Sequence, residues 1–256
     1  MKEIIEGLNL PKQILDKAEK FMATLFGPSA KEISELFADK IRYQRLKNQI
    51  KIFNKTIELL DKNNIEAREL NLKTLVPLIE KSSLEDNELL QNKWAILLAN
   101  ITSSPETGLE PKLVKTLSNL STLEAQVLDY CFERYKLERE RIYQDSKKYK
   151  WVHYETINDV KSDRVLIKFN WVKENFKLDD SFAKICIDNL NALGLVRYEE
   201  PVIEIETGNS KSELKNDEEN GEYVDLNLDV SANYSQSDDF NLLTYGLYFI
   251  EQCNAK

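Results

Sequence analysis

The stretch that most constrains this chain is Ser82 to Ser104, SSLEDNELLQNKWAILLANITSS. Ser82 and Glu85 stand in the S-x-x-E relation of a capping box, which predicts a helix start there. Leu90, Trp94, Leu97, Leu98 and Ile101 then recur at the spacing of one apolar helix face. Asn100, Thr102, Ser103 and Ser104 compete for backbone partners, and Pro105 cannot continue a helix, so the element closes there. A Trp among paired leucines on one helix face reads as a structural anchor, with these five apolar residues at the centre of a core.

Composition favours helices around that anchor. Only 7 glycines and 6 prolines in 256 residues leave few turns, too few for a sandwich or barrel. No apolar run reaches about 18 residues, so no membrane span is expected. The opening MKEIIEGLNLPKQ carries acids and no long apolar core, unlike a secretory signal. Cys131, Cys186 and Cys253 are odd in number, widely spaced and set in apolar helical patterns. They read as buried free thiols in a reducing cytoplasm rather than as disulfides or a zinc site.

Charge is unevenly placed. Residues 1–80 hold 14 Lys/Arg against 12 Asp/Glu, residues 81–198 balance at 18 against 18, and residues 199–256 hold 3 against 14. The net charge of −9 therefore belongs to the C-terminal region.

From the start of the chain, Asn9 and Pro11 open a first helix with Ile14, Ala18, Phe21, Met22 and Leu25 on its apolar face. Phe26-Gly27-Pro28 ends it, and Ser29 with Glu32 forms a second capping box. From Ser29 to about Asn63 no Gly or Pro intervenes, which predicts a helix about 50 Å long at about 1.5 Å per residue. Ile33, Phe37 and Ile41 form one stripe on it. Leu46, Ile50, Phe53, Ile57 and Leu60 form a heptad seam. The same helix carries Lys40, Arg42, Arg45, Lys47, Lys51 and Lys55 with no acid between, a candidate interaction stripe. Such a stripe suits an acidic protein surface, a phosphate backbone or plain solvation. Glu66 to Glu80 reads as a shorter helix interrupted by Pro77. Residues 1–105 thus predict an all-helical bundle.

Pro105, Gly108 and Pro111 punctuate a linker. Beyond it Ser121 and Glu124 form another capping box, followed by an apolar face of Leu123, Val127, Leu128 and Cys131. Lys136 to Lys150 is a charged helix extension or loop. Phe169–Phe176 reads as a short helix, Leu178–Ser181 as a turn and cap, and Phe182, Ile185, Cys186, Leu190 and Leu193 as the face of the next helix, closed by Gly194. Leu195–Tyr198 and Val202–Glu206 read as strands, Gly208–Gly221 as an acidic loop, Tyr223–Val230 as a strand and Thr244–Cys253 as a final helix. This order is that of a winged helix-turn-helix. The expected fold class is mainly α: an N-terminal helical bundle with a long helix, then a winged-helix-like α+β domain over residues 111–256.

Charge argues against DNA reading by that module. Its third helix carries Asp179, Asp180 and Asp188 against Lys184 alone, and its wing carries Glu199, Glu200, Glu204 and Glu206, a candidate acidic surface that repels phosphates. No catalytic or metal-binding motif is recognisable, and the single histidine, His153, sits between aromatic neighbours. No motif gives a positive sign of enzyme activity, which is the last-placed reading, and no cofactor or metal is expected.

Three stretches carry a family resemblance: LFGPSAKEISELFADKIRYQRLKNQIKI, SLEDNELLQNKWAILLANI, and LDDSFAKICIDNLNALGLVR with the closing LTYGLYFIEQC. Together they resemble the Abi-alpha (abortive infection alpha) family of prokaryotic proteins. The resemblance implies defence against bacteriophage, in which an infected cell stops growing or dies before virus release, and it brings no agreed active site. The leading expectation is a non-enzymatic, cytoplasmic defence protein acting through a protein partner or self-association. One alternative is a nucleic-acid-binding regulator using the basic 40–55 helix. Another is a membrane effector using Asn9–Phe26, although membrane contact is not favoured.

Overall fold

The computed structural model describes residues 12–26, 43–148, 154–207, 211–217, 221–227 and 230–254. The expected Gly27-Pro28 break, the helix over Ser29–Arg42 with Lys40 and Arg42, and His153 lie outside them. Among the described residues are nine α-helices: α1 (Lys12–Phe26), α2 (Tyr43–Lys62), α3 (Leu72–Ser82), α4 (Glu88–Ser103), α5 (Glu110–Ser118), α6 (Thr122–Lys148), α7 (Phe169–Phe176), α8 (Asp180–Ala192) and α9 (Thr244–Cys253). Six short strands complete the fold: β1 (Val196–Tyr198), β2 (Val202–Thr207), β3 (Lys211–Asp217), β4 (Gly221–Asn227), β5 (Val230–Ser235) and β6 (Phe240–Leu242). The protein is thus mainly helical with a small β part, and none of the described helices is long and apolar enough to cross a membrane.

Helix α4 lies at the centre, against α2, α6 and α9. Leu90, Trp94, Leu97, Leu98 and Ile101 are buried, and so are Gln91, Lys93, Ala95, Ala99 and Thr102. More than one face is therefore covered, because neighbours pack on several sides. The helix starts later than the S-x-x-E pair predicts. Asn87 is its cap, its side-chain oxygen accepting the Leu89 and Leu90 N–H groups at 3.0 and 3.4 Å. Ser82 instead ends α3, its hydroxyl donating back to the Ile79 carbonyl. Glu85 accepts the Asn87 N–H at 3.0 Å, bracing the turn between the two helices.

Helix α1 spends its apolar face inside the protein. Ala18, Phe21 and Leu25 are buried, and Phe21 meets Phe53 of α2 edge to face at 5.7 Å. Helix α3 begins at Leu72 rather than Glu66, capped by Asn71, whose side chain accepts the Thr74 N–H at 2.9 Å. The preceding residues place their N–H groups elsewhere: Arg68 donates to the Thr102 carbonyl and Leu70 to that of Leu25. Pro77 sits within α3 instead of interrupting it, while Leu75, Leu78 and Ile79 bury the helix around it. Pro111, expected in the linker, occupies the first turn of α5, where its missing N–H costs nothing.

Helix α6 opens on a reciprocal capping box: Glu124 accepts the Ser121 N–H at 2.7 Å and Ser121 accepts the Glu124 N–H at 3.2 Å. It runs for 27 residues and absorbs the charged stretch through Lys148. Beyond it, α7 and α8 pack on its side. Strands β1 and β6 pair antiparallel, with Val196 opposite Leu242, and Ile167 bridges Phe240. Asp239, just before β6, accepts the Phe169 N–H at 2.9 Å and so caps α7 from across the fold.

The acidic stretch expected as a loop contains a strand. β3 pairs with β4 from Asp217 opposite Gly221 to Lys211 opposite Asn227. The single strand expected over Tyr223–Val230 is divided, because β4 pairs with β3 while β5 pairs with β2. Each of the three sheets has two strands. Helix α9 then returns against α4 and α6. Gly246 permits its close approach to the chain entering β1: a Cβ there would stand 2.1 Å from the Leu195 carbonyl oxygen.

Candidate interaction surfaces

The described part of the basic stripe lies on α2, and the fold divides it. The Arg45 guanidinium donates to Ser83 Oγ at 3.0 Å and to the Glu80 carbonyl at 3.2 Å, fastening α2 to the end of α3. Lys55 Nζ donates to Asn92 Oδ1 at 2.6 Å and lies 3.6 Å from Glu88 Oε1, both near the start of α4. Lys47 is half-buried and Lys51 exposed, and neither has an ion pair or side-chain hydrogen bond among the described residues. Periodicity places Lys47, Lys51 and Lys55 on one face. Only tertiary contacts show that one of the three is engaged.

Helix α8 presents a face other than the one its apolar spacing predicts. Ala183, Cys186, Ile187 and Leu190 are buried, whereas Phe182 and Ile185 are 46% and 52% exposed. The two candidate faces share Cys186 and Leu190, so spacing alone does not choose between them. Contact with α6 and β1 does. The polar groups of α8 are meanwhile occupied within the chain. Lys184 pairs with Asp238 at 2.8 Å, Asp180 with Lys173 at 2.6 Å, and Asp188 accepts the Tyr198 hydroxyl at 2.6 Å. The hydrogen bond to Asp238 and its charge hold the Lys184 ammonium above the usual lysine range. Burial and the bond to Asp188 push the Tyr198 phenol up.

Glu199 donates its N–H to the Asp239 carbonyl at 2.8 Å, and Glu200 is exposed. Glu204 stands opposite Asn233 and Glu206 opposite Ser231 on the β2–β5 ribbon. That ribbon also carries apolar residues in water: Val202, Ile203, Val230 and Tyr234 are all more than half exposed. Ile203 and Tyr234 face each other across it. Strand alternation predicts one wet and one dry residue from Val202-Ile203. Both are wet, on a sheet of only two strands. The adjacent apolar pair after Pro201 was the sequence signal for this surface.

Cys131, Cys186 and Cys253 are buried free thiols. Burial raises each of them, Cys253 to about 12, so they stay protonated and poorly nucleophilic. Among the described residues no three His, Cys, Asp or Glu side chains converge to hold a metal ion.

No curated protein and no solved structure shows significant similarity to the chain. The model of the family described as abortive infection alpha matches residues 38–253, a span that holds α2 through α9, and the chain belongs to that family.

Proposed function

We propose that this chain serves abortive phage defence in the cytoplasm through protein contacts made by the outer face of α8 and the β2–β5 ribbon. The defence role follows from the family. The contact reading is carried by one observation: Phe182 and Ile185 stand in solvent on a helix whose lysine is already paired with Asp238. Apolar residues flanked by engaged charges suit a protein partner, while a nucleic-acid surface needs cations free to neutralise phosphates. The order α6, α7, α8, β1, β6, with Ile167 bridging Phe240, supports a winged-helix arrangement in which the ribbon is the wing. Glu199, Glu200, Glu204 and Glu206 give that wing its acidic character. A winged helix of this charge serves protein recognition.

On the nucleic-acid alternative, the described part of the 40–55 stripe contributes Lys47 and Lys51 as cations with no ion pair among the described residues, about one phosphate contact each. On the membrane alternative, the apolar face of α1 is already packed on α2 and α3. The test is phage plating on a sensitive host carrying either the wild-type chain or Phe182→Ser with Ile185→Ser. Loss of protection at equal expression and unchanged melting temperature supports the α8 face. Protection equal to wild type removes that face from the mechanism.

A further inference from the structure

A cleft of about 520 Å³ opens between α6, β1, β6, the start of α9 and the two short 3₁₀ turns that precede α7. Its size is that of sites for small organic ligands, roughly 300–1,000 Å³. Three cations line it, Arg139, Lys161 and Arg197, against the single carboxylate of Asp163. Arg139 is held in place by its own chain, donating to the Val160 carbonyl at 3.1 Å and reaching Asn158 Oδ1 at 3.5 Å. None of the three cations has an ion pair among the described residues, in a chain of net charge −9. The smaller cleft beside α7 is different, because its Lys173 and Lys184 are neutralised by Asp180 and Asp238.

Two further groups of donors meet the same space. Helix α9 begins here at Thr244, and its cap residue, Leu243, supplies no side chain to the first-turn N–H groups. Tyr135 lines the cleft although only 4% exposed. Its hydroxyl makes no hydrogen bond to a described residue and is not among the unpartnered atoms sealed from solvent. A phenol lining a cleft with no described protein partner is free to donate to a ligand held there.

We propose that this cleft binds the phosphate group of a small molecule, with Arg139, Arg197 and Lys161 supplying charge and Tyr135 and the first turn of α9 supplying neutral donors. The donor set is one-sided: guanidinium and ammonium groups, a phenol, the Thr244 hydroxyl and free N–H groups, all suited to phosphate oxygens. Asp163 then disfavours fully charged ligands on its own side and leaves room for a hydroxyl-bearing portion.

Titration calorimetry at low salt with inorganic pyrophosphate and with AMP tests this. The two probes distinguish recognition of phosphate alone from recognition of a nucleotide. The expected result is saturable binding of at least one probe, weakened about tenfold or more in Lys161→Gln/Arg197→Gln. Tyr135→Phe, which keeps the ring and removes only the hydroxyl, should weaken binding severalfold at unchanged melting temperature. Absence of binding by both probes overturns the proposal, as does binding by these variants equal to wild type. Equal weakening in Lys47→Gln/Lys51→Gln, on α2 and outside the cleft, overturns it too, since that would be unspecific charge attraction.

Discussion

Helix α4 is covered on nearly every side, whereas the β2–β5 ribbon has solvent along all of β5 from Val230 to Ser235. A helix satisfies its own backbone, so every side of α4 is free to pack, and three helices use it. A two-stranded ribbon satisfies only half of its edge groups and is marginal by itself in water. The polar groups of α4 are correspondingly tied down. Lys93 Nζ reaches Asp129 Oδ1 at 2.7 Å and Asn254 Oδ1 at 2.6 Å, and Asn100 donates to the Gln252 carbonyl at 2.9 Å. Stability therefore concentrates around α4.

The largest test of this contrast is Trp94→Ala. Removing a side chain 1% exposed should cost about 3–5 kcal/mol and lower the urea midpoint accordingly. The same variant should expose Cys131 and Cys253 to a thiol reagent at pH 8. In the wild type, burial holds both thiols protonated and shielded, and labelling should be slow. Rapid labelling of both in the intact protein would contradict a closed core.

Gly246→Ala comes next. Its Cβ would meet backbone atoms of Leu195, which cannot rotate away, so α9 and β1 must separate at a cost of about 1–3 kcal/mol in thermal melting. Lys93→Met keeps the apolar stem but strips Asp129 and Asn254 of their ammonium partner. It should cost about 1–2 kcal/mol, and a cycle with Asp129→Asn should show coupling between the two sites. At the small end, Ile203→Ser and Tyr234→Ser should move stability by at most about 0.5 kcal/mol, since both residues are already in water. A larger loss would mean that the ribbon contributes to the core and would dissolve the contrast.

Several elements were legible from local pattern. The boundaries of α7 and α9 follow from apolar spacing and flanking residues, and the Ser121–Glu124 box is a short-range signal that α6 uses as written. The Ser82–Glu85 pair has the same spelling but no helix start, because Asn87 offers a cap nearer to Leu90 while Ser82 completes the last turn of α3. Strand β3 was hidden because Lys211–Asp217 holds one large apolar residue, Leu214. Its pairing with β4 rests on backbone bonds, which do not depend on side-chain type.

The sequence by itself determined the helical class, the family and the charge distribution, since period, caps and composition are properties of short segments. Tertiary structure alone decided which cations of α2 were engaged, that α8 turned Phe182 and Ile185 outward, and that Arg139, Lys161 and Arg197 came to line one cleft. These depend on what packs against each element. A helix with two overlapping apolar faces, or residues 58 positions apart such as Arg139 and Arg197, carries no local sign of the neighbour that will choose between arrangements.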